Sequence, residues 1–308
     1  MGKQISTLIM AMLLFLTSLV IPVSSEQITT SSSGSTLYVG GTGPGNYTSI
    51  QDAINASSNG DTIFVYNGIY VEDLVINNSI ILKGEDNKNT KILGKNNVII
   101  INSDDVEITN FNVRNYDDNS GITDFEVNSN NIKIIYNIFN RTSITFFNSN
   151  NCEISRNKGK KFSILLTDSS NNIISENEGL SIGLGDIISS SNYNVIKNNL
   201  INDHEHGIVL MGNKCSFNKI TKNVIKNCGT AISCASILNT ITHNDFIENG
   251  QNAYIYTTLA NRWYHNYWGR PRVFPKIILG ASMFGYSIDF DFKPALKPNC
   301  DFGDGIFD

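Results

Sequence analysis

At 308 residues the chain is long enough for one extended domain or two ordinary ones. Asparagine supplies 43 of them and proline only six. This excludes a mainly helical protein, because asparagine side chains compete for helix backbone hydrogen bonds and suit bends, where they tolerate left-handed backbone. A net charge of −5 with no basic cluster along the sequence argues against nucleic acid or an anionic membrane surface as partner.

Residues 1–25 read as a secretory signal: Lys3 gives a positive start, Leu8 to Ile21 is mostly apolar, and small residues precede a cleavage point after Ser25. The alternative is an uncleaved anchor, against which the run is shorter than the roughly 20 residues that span a bilayer. No second apolar span follows, so the expected product is secreted, periplasmic or on the cell surface, without a stable membrane span after cleavage. Residues 26–35 form a Ser/Thr-rich tether.

Leu37 to Val39 opens the fold as a strand. A short helix follows, with Thr48 and Gln51 as its capping box, Ile50, Ala53 and Ile54 on one face, and Asn59-Gly60 as its stop. It is expected to cover the open end of what comes next. From Asp61 the chain reads as short β-branched strands broken by bends: Thr62 to Tyr66, Tyr70 to Val75, Ser79 to Leu82, Lys91 to Gly94, Val98 to Ile101 and Val106 to Ile108.

Then a repeat sets in. Asn137, Asn157, Asn177, Asn199, Asn223, Asn244 and Asn266 recur at intervals of 20, 20, 22, 24, 21 and 22 residues, each three after Ile134, Ile154, Ile174, Ile196, Ile220, Ile241 and Trp263. A 20–24-residue period signals a solenoid of stacked coils. Roughly nine to ten coils fit between Asp61 and Trp268 at about 4.8 Å each. The repeated amides are expected to bond from coil to coil as a structural ladder, while the flanking apolar residues point inward. Five cysteines (Cys152, Cys215, Cys228, Cys234 and Cys300) leave at least one unpaired within the chain. Most read as small buried hydrophobes.

Three kinds of site compete. Phe147 and Tyr256, with Phe146 and Tyr254 beside them as either core or surface, could stack on sugar rings of a polysaccharide or another cell-envelope component. His204 and His206 would share a face of an extended segment, and aligning Ile201 to Ile208 with Ile225 to Ile232 sets His204 beside Cys228 of the next coil. Two imidazoles and a thiolate are ligands for copper or zinc, although no fourth ligand is evident. Asp117, Asp118, Asp124, Asp168, Asp186 and Asp203 could supply acid–base chemistry on sugars. No two of them recur in neighbouring coils, and turn formation accounts for each. After the last repeat, Asn261 to Arg272 turns aromatic. Trp263 and Trp268 are expected to roof the last coil, with strands at Ile277 to Gly280 and Ser287 to Phe292.

The segments Tyr47 to Ile54, Gly60 to Glu72 and Ile80 to Gly84, the Ile-x-x-Asn repeats and the ending Asn266 to Arg272 resemble right-handed parallel β-helix proteins of the pectin-lyase-like group, and within it the NosD-like branch. The resemblance covers about residues 36–294 and is specific for fold. It implies, more distantly, an accessory role in maturing the copper sites of nitrous oxide reductase, or the chemistry of polysaccharide lyases, hydrolases and pectin methylesterases. Gly68 to Glu72 and Gly269-Arg270-Pro271 echo esterase motifs, but the Gln-Asp pair and the Asp-Phe-Ile-Phe-Gly stretch of those enzymes are absent.

The sequence thus predicts an all-β right-handed parallel β-helix over 36–294 with a helix cap, an aromatic C-terminal closure and a tail at 295–308. Its expected role is an exported binding or structural module for polysaccharide that requires no cofactor. The alternatives are a polysaccharide-acting enzyme and a copper-handling accessory protein.

Overall fold

The computed structural model describes residues 34–116, 125–186, 188–212, 214–256, 260–282 and 285–300. The expected signal at 1–25, most of the expected tether, Asp117, Asp118, Asp124 and the tail beyond Cys300 lie outside the described residues.

The described residues form an all-β parallel solenoid with, among them, one short helix, α1 (Ile50–Ala56). Each coil contributes strands to three parallel columns. The first column runs rung by rung from Thr36–Val39, through Thr62–Val65 and Ile81–Gly84, to Arg262–Tyr264, eleven strands in continuous register. Ten of these lie between Asp61 and Trp268, as the spacing predicts, and Thr36–Val39 adds one before them. The second column starts at Gly68–Tyr70 and the third at Leu74–Ile76. The expected single strand Tyr70 to Val75 is therefore two strands on two faces, because Val71 to Asp73 turns a corner.

Register places Ile134, Ile154, Ile174, Ile196, Ile220, Ile241 and Trp263 on top of one another, all buried. Each such side chain is worth about 1.5–3 kcal/mol of burial, and the stack makes one unbroken core. Phe139 and Phe162 continue it on the second column with rings 4.9 Å apart. All five cysteines are free thiols and four are buried, as small apolar residues of this core. Burial pushes the Cys152 thiol up to about 11.

The asparagine ladder is present, and its mechanics are specific. Each amide serves the bend of the preceding coil: Asn157 accepts from Asn137 N–H (2.9 Å) and donates to Ile134 C=O (2.8 Å). Asn177, Asn199, Asn223, Asn244 and Asn266 repeat the pattern. The bend breaks the sheet's own pairing at these two backbone groups, and one side chain of the next coil satisfies both. Among the described residues no further coil follows Asn266. Asp291 ends the run, one carboxylate oxygen accepting Asn266 N–H (3.0 Å), Asn266 Nδ2 (3.1 Å) and Trp268 Nε1 (3.1 Å).

Two expectations need correction. The left-handed residue of each bend is not the ladder asparagine but the residue before it: Tyr136, Arg156, Glu176, Asn198, Lys222, His243 and His265, with φ between 55° and 59°. The ladder amide must point inward to reach the coil below, so the turn is made one residue earlier, by a side chain free to face solvent. The helix also starts differently. Its N-cap is Ser49, accepting from Asp52 N–H at 3.3 Å, not Thr48. Gln51 instead bonds both backbone groups of Val75. Glu72 reaches the exposed N-terminus of α1, accepting from Ser49 Oγ, Ile50 N–H and Gln51 N–H at 2.8–3.0 Å, which explains the esterase-like Gly68 to Glu72 echo as scaffold. The predicted apolar face Ile50, Ala53 and Ile54 is buried.

A second ladder escaped the sequence reading. Asn172, Asn194, Asn218, Asn239 and Asn261 serve the opposite bend of the first column in the same way. Each lies five residues before a first-ladder asparagine, and that offset was visible in the sequence. Two ladders five residues apart leave room for only three strand residues between bends, as in Ile173–Ser175 and Lys219–Thr221.

Candidate functional site

The outer face of the first column carries a candidate surface for a ligand. A groove of about 680 Å³ crosses successive coils there, lined by Thr62, Ile81, Lys83, Glu107, Thr109 and Ile135 from the strands and by Asn110, Tyr136 and Arg156 from the bends. Strand alternation turns the first set outward, and the left-handed bends project the second set as a wall. Tyr136 is half exposed. The Arg156 guanidinium lies 5.3 Å from its ring centroid and is held from the other side by Glu176, with Nε 2.8 Å from the carboxylate. That hydrogen bond and charge raise the Arg156 pKa still further. The arrangement offers a flat aromatic face, a fixed cation and one carboxylate, Glu107. Glu107 and Glu153 flank Lys133 in register, so like charges alternate with an opposite one. Tyr136 and Arg156 were not singled out in the sequence, although their place just before a ladder asparagine marks both as outward-facing.

The sequence-derived candidates are dispersed. Phe147 ends strand Ser143–Phe147 and Tyr256 ends strand Gln251–Tyr256, both in the third column. Five rungs separate them, about 24 Å at the usual strand spacing. Phe146 is fully buried, whereas Tyr254 and Tyr256 are exposed. Cys228 is opposite His204 as aligned, with Gly229 N–H donating to His204 C=O at 3.0 Å. The His204 imidazole, however, approaches Gly179 C=O of the coil below (3.3 Å), His206 is exposed on strand His206–Leu210, and the buried Cys228 thiol donates to Lys226 C=O (3.4 Å). Burial raises the pKa of that thiol, disfavouring the thiolate. Among the described residues no three His, Cys, Asp or Glu side chains converge as a metal-binding group. Of the carboxylates, Asp168 accepts from Ser190 N–H (2.7 Å), and Asp186 accepts from Ile188 and Ser189 N–H (2.8 Å each). Those two donors hold the Asp186 carboxyl below its usual range. Asp203 is itself a left-handed bend residue. These are turn contacts, not paired acids.

The other two histidines do come together. His243 and His265 precede consecutive ladder asparagines, and their ring centroids lie 5.0 Å apart with the planes tilted by 51° at the C-terminal end. Burial, then the neighbouring His265, hold His243 below the usual imidazole range. Beside them the chain closes with the antiparallel pair Lys276–Ser282 and Gly285–Asp291. Residues 295–300 are stitched back onto the solenoid, as Asn299 and Cys300 N–H groups donate to Asp245 at 2.8 Å. Trp263 and Trp268, both buried, pack 6.0 Å apart over the last coil, forming the expected roof.

Solved structures with a similar path include the A-module of mannuronan C-5 epimerase AlgE4 from Azotobacter vinelandii (14% identity, 70% of this chain and 81% of that one, TM-score 0.48). They also include pectin methylesterase PemA from Erwinia chrysanthemi (13% identity, 74% and 92%, TM-score 0.35) and a pectin methylesterase from carrot (12% identity, 76% and 84%, TM-score 0.39). No curated protein matches the chain. A family described as "Periplasmic copper-binding protein (NosD)" matches residues 54–273, from the cap helix to the aromatic closure, and the chain belongs to that NosD family of right-handed parallel β-helix proteins.

Proposed function

We propose that the protein is a periplasmic binding module that holds an extended polysaccharide along the first-column groove. The observation that carries this reading is the groove itself: it runs across the rungs, parallel to the solenoid axis, with Tyr136 as a stacking face and Lys83, Glu107, Asn110 and Arg156 as hydrogen-bonding groups. Each rung adds about 4.8 Å, so successive sugar units of a polymer meet successive coils. Flat aromatic contact with a few placed polar groups is how concave sites orient a ligand. One carboxylate lines the groove, whereas glycoside hydrolysis uses two flanking the scissile bond, so the reading is binding without turnover. The family's periplasmic description supports the compartment. Among the described residues no helix is long and apolar enough to cross a membrane.

The test is retention on insoluble polysaccharides and titration with soluble oligosaccharides. Tyr136→Ala should weaken binding roughly tenfold, the equivalent of about 1.4 kcal/mol. Phe147→Ala and Tyr256→Ala should have smaller and independent effects. Equal retention by Tyr136→Ala would remove the groove from the reading, and release of new oligosaccharides by the wild-type protein would replace binding with catalysis. A second reading, copper handling, draws on the family description, with His204, His206 and Cys228 as candidate ligands for copper or zinc. It ends if His204→Ala with His206→Ala leaves the affinity for both metals unchanged.

A further inference from the structure

The C-terminal closure contains a second cleft, of about 580 Å³, between the last bend and the returning chain. Its polar lining is cationic or neutral: His265, Arg272, Lys293, Lys297 and Asn299, with no acidic side chain among the lining residues. Its other walls are apolar, notably Val273, Phe292 and Leu296, all largely exposed to solvent. Two buried nitrogen atoms at this cleft have no hydrogen-bond partner, His265 Nδ1 and Arg272 Nε. A buried unpaired polar atom is expensive, about 1–3 kcal/mol and more for a charged group, so two in one cleft point to a ligand that completes them.

The cleft lining has one sign. Residues 262–308 carry six Lys and Arg against five Asp, in a chain whose net charge is −5, and the cleft lining takes three of those cations and none of those acids. Among the described residues, Asp289, Asp291 and the nearby Asp245 are already committed. Asp289 accepts from Trp263 Nε1 (3.1 Å). Asp291 ends the asparagine ladder and also accepts from His265 N–H and Lys293 N–H at 3.2 Å each. Asp245 is taken by Asn299 and Cys300. Burial, followed by repulsion from Arg272 and Arg270, lowers the Lys276 pKa, so these three cations lie near one another. The basic cluster that the linear sequence lacks is thus assembled by folding.

We infer that this cleft recognises a carboxylate carried on a ring with one apolar face, the chemistry of a uronic acid residue. Arg272 can pair the planar carboxylate through Nε and its neighbouring guanidinium nitrogen. Phe292, braced by Phe290 at 5.3 Å, offers a face for the ring, and Lys293, Lys297 and Asn299 can meet its hydroxyls. A bare inorganic anion would satisfy the nitrogens but leave most of the cleft and its apolar walls unfilled. A cation is disfavoured by the basic lining.

The experiment titrates galacturonate, galactose and inorganic phosphate into the protein, following the ligands and the Arg272 Nε resonance by NMR. Galacturonate should bind and shift that resonance, with galactose at least tenfold weaker and phosphate unable to displace galacturonate at equal concentration. Added salt should weaken the binding. Arg272→Met should reduce galacturonate affinity at least tenfold and Lys297→Gln, on the exposed returning chain, several-fold, each at an unchanged melting temperature. Tyr136→Ala should leave it unchanged, so this site and the groove stand or fall separately. Equal binding of galactose, displacement by equimolar phosphate, or parental affinity in both cleft variants would overturn the proposal.

Discussion

A single ladder asparagine closes two gaps in the coil before it, and this makes its replacement costly out of proportion to its size. Asn199 accepts from Asn177 N–H (3.0 Å) and donates to Ile174 C=O (2.9 Å), both buried. Asn199→Ala leaves these groups unpaired and should destabilise the fold by about 1–3 kcal/mol, read by chemical denaturation and by faster amide exchange at Asn177. The thiols make a second residue-scale prediction. Burial, with Asp245 beside it, pushes Cys300 up to about 12 from an ordinary value of 9.0. Folding therefore holds the proton, and the contribution is present below the ordinary thiol value and is lost as pH rises from there toward 12. Stability should fall with pH across that window, less so in Cys300→Ser. At pH 8 all five thiols should react far more slowly with iodoacetamide in the folded protein than in denaturant, because the thiolate is the nucleophile.

At the scale of elements, α1 is too short to stand by itself, and the solenoid supplies both of its supports. Ile50, Ala53 and Ile54 pack on the first rungs, while Glu72 caps the three groups at its N-terminus. Glu72→Ala should cost about 1–2 kcal/mol, as loss of a cap does, and should release amide protection in Ile50 and Gln51 while leaving the central coils unaffected. The helix itself was legible from the spacing of its apolar residues. Its cap was not, because Glu72 is a full coil away in sequence and reaches Ser49 only after the chain has turned. The same holds for the strands: short β-branched runs located them, but the corner at Val71 to Asp73 follows from three-column geometry that no local pattern encodes.

For the whole molecule, stacking makes stability a sum of neighbouring interfaces, so the ends decide where unfolding begins. Trp268 packs on Phe246 (4.8 Å) and Trp263 and donates to the ladder-ending Asp291. Trp268→Ala should cost about 3–5 kcal/mol, and hydrogen exchange should show protection lost progressively from the last coils inward, not uniformly. Only this scale reveals the functional surfaces. Tyr136 and Arg156 lie 20 residues apart and share a wall because one coil intervenes. His265, Arg272 and Lys297 form a cleft because the closing chain folds back across the end.

By itself the sequence determined the β-helix, the coil number within the repeat region, the Ile stack and the first asparagine ladder, because a fixed period forces equivalent residues into register whatever their chemistry. It also marked both ends, through an amphipathic helix and an aromatic run. Only the tertiary structure decided which residue of each bend turns left-handed, where His204, His206, Cys228, Phe147 and Tyr256 point, and how the cations of the last forty residues gather. Those outcomes depend on side chains of different coils competing for the same backbone groups and the same space, and such contacts exist only once the coils are stacked.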